Sequence, residues 1–182
     1  MLLALALALT AMRGSDLPVA VCVVAPRVEA LSQGDARGEV PLGAPRLVVI
    51  EPLLEVRIER PGQPPWQRLA GQGQVIQGPL DWPVAPIAPN ETVLIRLRPQ
   101  LAPEGAYAHV ELKGAPAGRM LAAEALVRRL GKRTNAWGMA IEQALLAGNV
   151  PLAWALLFHP SIPADPELEA LRAEVIRRGC GD

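Results

Sequence analysis

The sequence predicts an α+β protein whose strands and helices are segregated along the chain. An antiparallel β-sandwich is expected over residues 19–115, and a bundle of about four helices over residues 116–182. Three observations lead there. Apolar and polar residues alternate in several short runs before residue 114. Most of the 19 Pro and 16 Gly also lie in that stretch, where turns need them. After Gly118 the apolar spacing becomes three and four, with capping residues at the breaks.

The first element is the apolar run Val19 to Val24, closed by Pro26. Residues 30–46 are polar, carry Gly34, Gly38 and Gly43, and read as a loop. Leu47 to Ile50 is a second apolar run, ended at Pro52. Leu54, Val56 and Ile58 then alternate with Glu55, Arg57 and Glu59, which predicts one buried and one solvated face. Trp66 to Leu69 is a short strand after Pro64 and Pro65. Gly71, Gly73 and Gly78 frame Val75 and Ile76 as turns or bulges. Gly71-Gln72-Gly73 lacks the Lys-Ser/Thr ending and the following helix of a phosphate loop. Val93, Ile95 and Leu97 form the next strand, and Ala106, Ala108, Val110 and Leu112 the last.

Four helices follow. Met120, Ala123, Val127 and Leu130 make the stripe of the first, with Gly131 as its C-cap. Thr134 or Asn135 caps the second, whose apolar face is Trp137, Ile141 and Leu145. Asn149 and Pro151 open the third, LAWALLF, which is apolar nearly all round and therefore predicted to be covered. Asp165-Pro166 starts the fourth, with Leu168, Leu171, Val175 and Ile176 inward. Residues 140–157 resemble one helix-turn-helix unit of a tetratricopeptide-type array, without a second copy at that period. That resemblance implies an antiparallel helical hairpin, expected over residues 135–158.

Leu2 to Met12 is unbroken apolar sequence, shorter than the ~20 residues that cross a bilayer. It matches the apolar core of a secretory signal peptide, with Ala11 near a cleavage site, although no Lys or Arg precedes it. Residues 1–18 are therefore expected to be a removable leader, and the protein periplasmic or secreted. The alternative is a cytoplasmic protein that buries this segment in its core. Cys22 and Cys180 lie near opposite ends of the chain. In an oxidising compartment they form one long-loop disulfide. Otherwise Cys22 is a buried thiol within VAVCVV and Cys180 a free one.

The 18 basic and 18 acidic residues cancel, which argues against a nucleic-acid partner. Motif inspection yields no cofactor site and no metal or catalytic signature. A hydrolase would have to assemble a site from scattered residues such as His109 and His159. The expectation is a non-catalytic module with a protein partner and no integral membrane span. Two places are candidates for contact. GPLDWPVAPIAP (78–89) is stiffened by four prolines and carries Trp82, flanked by Pro83 and Pro86. Trp82 is read either as an exposed anchor or as a plug in the sandwich core. Arg128, Arg129 and Arg133, with Arg119 and Lys132, form a basic cluster. It is read either as complementing a helix C-terminus or as a patch for an acidic partner or anionic lipid headgroups.

Residues 82–99 (WPVAPIAPNETVLIRLRP), the strand AYAHVEL (106–112) and the Trp-bearing helices after residue 134 give an order of parts with a likeness elsewhere. It resembles secreted bacterial proteins with an immunoglobulin-like sandwich and a helical tail, including a group common in cyanobacteria. The resemblance implies that the sandwich is immunoglobulin-like; it implies no activity.

Overall fold

The computed structural model describes residues 19–31 and 35–180; the expected leader lies outside them. Eight strands precede four helices: β1 (Val23–Ala25), β2 (Glu29–Ala30), β3 (Asp35–Val40), β4 (Val48–Val49), β5 (Leu53–Glu59), β6 (Trp66–Leu69), β7 (Thr92–Pro99), β8 (Ala108–Gly114), α1 (Ala117–Leu130), α2 (Thr134–Leu146), α3 (Val150–Leu157) and α4 (Pro166–Arg178). The protein is α+β. β1 and β4 form a two-stranded ribbon, and the other six strands form one sheet in the order β2-β3-β8-β7-β5-β6.

The expected all-antiparallel pairing needs one correction. β3 lies parallel to β8, from Asp35 opposite His109 to Val40 opposite Gly114, so the sheet is mixed. β3 also occupies the stretch read as a loop. Its period-two alternation is real, but the inward residues are small: Ala36, Gly38 and Val40. Gly38 is required there, because a Cβ would stand 2.7 Å from the Arg27 carbonyl oxygen. A strand built on small inward residues and charged outward ones carries little hydrophobic signal.

The remaining strands follow their composition. β-Branched and aliphatic residues face one side, and Val93, Ile95, Leu97 and Leu112 lose all solvent exposure. An irregularity in the β5–β7 register between Leu53 and Glu55 turns Leu53 inward and leaves Leu54 half-buried. The apolar face is covered by Val23 and Val49 from the ribbon, by Leu47 just before β4, and by Ile76 and Ile87 from the connection between β6 and β7. Fully burying an aliphatic side chain of this kind contributes roughly 1.5–3 kcal/mol.

The helices keep most of their expected faces. Met120, Ala123 and Leu130 of α1 are buried, and Gly131 ends that helix with a positive φ. α2 starts at Thr134 itself with Arg133 before it, so the expected Thr or Asn cap is absent. Ala144 rather than Leu145 completes the buried face of α2. From Trp137, Ala144 is seven residues on and Leu145 eight, which turns Leu145 past the edge of the stripe. Asn149 caps α3 by accepting from the Leu152 N–H at 3.3 Å. Asp165 caps α4 through the N–H groups of Glu167 and Leu168, with Pro166 in the first turn. Leu168 is buried and Val175 and Ile176 pack partly, but Leu171 is exposed.

Two apolar cores result. One lies under the sheet; the other joins Leu130, Trp137, Ile141, Leu156, Phe158 and Leu168 from the helical region. The ribbon is the wall between them. Val23, Leu47 and Val49 face the sheet core, while Val24, Ala25 and Val48 face the helical one. Cys22 and Cys180 form a disulfide, Cα–Cα 5.5 Å, that ties the end of α4 to the start of β1. The same corner is held by the Cys22 N–H donating to Glu51 at 2.8 Å and the Ile50 N–H donating to the Cys22 carbonyl at 3.0 Å.

Candidate functional site

The segment after Gly78 is stiff because its carbonyls are clamped. Arg60, at the end of β5, donates to the Ala85 and Pro86 carbonyls at 2.8 Å each. The same guanidinium forms a two-pronged pair with Glu91 at 2.9 and 2.7 Å. Glu91 also accepts from the Ala88 N–H at 2.7 Å. Those bonds, the Arg60 contact foremost, hold the Glu91 carboxyl below the usual carboxylate range. Leu47 and Leu80 exchange backbone bonds at 2.8 Å and pin the segment to the ribbon side.

This clamping sets Trp82. Its ring packs partly on the sheet core and its Nε1 donates to the Ala85 carbonyl at 3.0 Å. It faces neither wholly out nor wholly in. Together with Trp66 of β6, Leu47, Ile58, Leu80 and Pro83, it lines a slot of about 60 Å³ beside the sheet edge. Arg68 and Asp81 supply the polar part of the lining, and Asp81 is already paired with Arg46 at 2.8 Å. Pro83 is an exposed wall of the slot, whereas Pro86 is exposed and outside its lining. Sequence reasoning named Trp82 and Pro83 but missed Trp66, Arg68 and the Arg60 clamp. The available signal for Trp66 was its place directly after Pro64-Pro65, where a strand begins at an edge.

The outer face of the sheet is a charged ladder. Glu59 serves both Arg57 at 3.0 Å and Arg96 at 3.1 Å. Glu55, expected on a solvated face, is 4% exposed. It accepts from Gln67 and from the Tyr107 hydroxyl at 2.7 Å each, with Arg98 at 3.6 Å. The bond to Glu55 raises the Tyr107 pKa, with burial acting in the same sense. Three guanidinium groups thus share two carboxylates.

The basic cluster sits at the end of α1. Arg128 and Arg129 occupy its last turn, and Arg133 donates to the Arg129 carbonyl. That is the arrangement that complements a helix C-terminus. Arg128 stands 3.9 Å from Glu124, and Arg119 is held away by a two-pronged pair with Glu39 at 2.6 and 2.7 Å. The two histidines belong to separate clusters. His109 lies 3.3 Å from Asp35 on the charged face. His159 packs on Trp137, ring centroids 5.5 Å apart, and its Nδ1 accepts from the Ser161 N–H at 3.1 Å. Burial, and secondarily the charge of Arg46, push the His159 pKa down. Among the described residues no group of acidic, His or Cys side chains is arranged to hold a metal ion, and no helix is long and apolar enough to cross a membrane. Comparison with family models, with curated proteins and with solved structures returns no match for this chain.

Proposed function

We propose that the protein is a non-catalytic exported module that binds or braces another protein of the cell envelope. The observation that carries this reading is the Cys22–Cys180 disulfide, a bond that persists in oxidising compartments. It supports export independently of the apolar run Leu2 to Met12, which resembles a leader. The preformed slot at Trp82 supports the binding role, since rigid aromatic side chains beside a pocket are the usual anchors of a contact. The immunoglobulin-like sandwich belongs to this reading too. The sheet would be one layer, and the ribbon with the connection through Ile76 and Ile87 the other.

The test is the chain as native cells hold it. Intact mass should show loss of the leader and two fewer hydrogens than the dithiol form. A photo-cross-linker at Pro83 should yield a discrete adduct with an envelope protein. An unprocessed chain carrying free thiols would sink the proposal. A second reading, a cytoplasmic adaptor using the hairpin 135–158, is favoured by one observation: Leu146 is 82% and Met139 59% exposed on α2. A cross-linker at Met139 that captures a cytoplasmic protein, with no adduct at Pro83, would favour it instead.

A further inference from the structure

We infer that β6 is the docking edge for a partner's extended strand, one that is acidic and carries an aliphatic side chain into the Trp66–Trp82 slot. The inference rests on the binding-module reading and names the partner chemistry. It starts from hydrogen-bond parity. The Ala70 N–H donates to the Leu54 carbonyl at 2.8 Å, so Ala70 and Leu54 are a hydrogen-bonded pair. Pairs alternate along an antiparallel ladder, and the register sets Arg68 opposite Val56 and Trp66 opposite Ile58. Trp66 and Arg68 therefore bond to β5. Gln67 and Leu69 turn their N–H and C=O groups outward. β6 is the last strand of the sheet, and its outer side makes no backbone hydrogen bond among the described residues. An open row of this kind is completed by another strand.

The side chains say which strand. On one face of the edge lies the apolar slot, whose Trp82 wall is held by its bond to the Ala85 carbonyl that Arg60 also clamps. At about 60 Å³ it suits a small aliphatic side chain. The same lining holds Arg68, which makes no ion pair among the described residues. On the other face, Arg57, Arg96 and Arg98 share only Glu55 and Glu59. Both faces near the edge therefore have surplus positive charge and complement an acidic strand. A second copy of this chain pairing β6 to β6 would set these arginines against one another, which disfavours self-association by this route.

The experiment uses the full chain and a fluorescein-labelled heptapeptide with one central valine and glutamate at all the other positions, so that acidic side chains lie on both faces of the added strand, read by fluorescence anisotropy. Binding is expected. The matching valine–lysine peptide should bind weaker by on the order of tenfold or more. Arg68→Glu should reverse the preference between the two peptides. Leu69→Pro removes only an outward N–H and leaves the β5 ladder intact, and it should abolish binding. Circular dichroism and the melting curve identify any variant that has not folded, and Arg68→Glu, a surface change, decides the matter if Leu69→Pro fails. Equal binding of the two peptides, or parent-like binding by both variants, overturns the inference. So does a concentration-dependent dimer that Leu69→Pro dissolves, since the edge would then serve a second copy. If no peptide binds but Pro83 still cross-links to an envelope protein, the binding module stands and the strand-edge mode is wrong.

Discussion

The two cores are built differently. The sheet core is made of long aliphatic side chains on four adjacent, fully paired strands, and its central members are sealed from water. The helical core fills much of its interior with Ala140, Ala144 and Ala153, and concentrates bulk in Trp137, Leu156 and Phe158. Alanine buries little area, so the alanine-lined helical faces gain less per residue than the aliphatic faces of β5 and β7. α4 in particular buries only Leu168 completely. The helical core borrows Val24, Ala25 and Val48 from the ribbon and a covalent bond from Cys22. The helices therefore depend on the strand half more than the reverse.

The largest expected effect comes from the bond itself. Replacing both Cys22 and Cys180 with serine opens a loop with a sequence separation of 158 residues. In the chain-entropy account a loop this long contributes about 5 kcal/mol. Denaturant unfolding measures the loss, and hydrogen exchange should show α4 losing protection first. Equal loss of protection across β7 and β8 would break the proposed dependence. Next comes Trp137→Ala. It removes the largest fully buried side chain and its Nε1 bond to the Gly131 carbonyl, and should cost about 3–5 kcal/mol. The helices should become exchange-labile while the slot tryptophans keep their emission. Ile95→Ala, by contrast, should cost about 2–5 kcal/mol and unfold both halves together.

The smallest effect is a pH dependence. Burial lowers the His159 pKa in the folded chain below the ordinary value of about 6.5. The folded state therefore favours the neutral ring, and the unfolded state binds the proton first. Stability from this group is present above about pH 6.5 and falls as pH drops towards the folded pKa. His159→Gln should flatten that part of a melting-temperature profile. An unchanged slope would show that His159 does not couple the helical core to acid.

Strands with β-branched and aliphatic inward residues, such as β7 and β8, were legible because burial and period two coincide there. β3 was not, since Ala36 and Gly38 satisfy the pattern without hydrophobic weight, and its parallel pairing with β8 joins segments over seventy residues apart. The caps at Asn149 and Asp165 were legible because capping is local. The candidate site was half legible. Trp82 announced itself by composition, but its setting depends on Trp66 across the slot and on Arg60, which clamps the Ala85 carbonyl that the indole also uses. Glu55 was misread for the same reason: its burial comes from Gln67, Arg98 and Tyr107 on three other segments.

The disulfide has a mechanical meaning as well. Every described element lies between Cys22 and Cys180. A pull applied before the first cysteine and after the second passes through the sulfur atoms and bypasses the loop. While oxidised, the folded body carries no tension from its two flanks. Reduced, the same pull would run through β1 and peel the wall between the two cores.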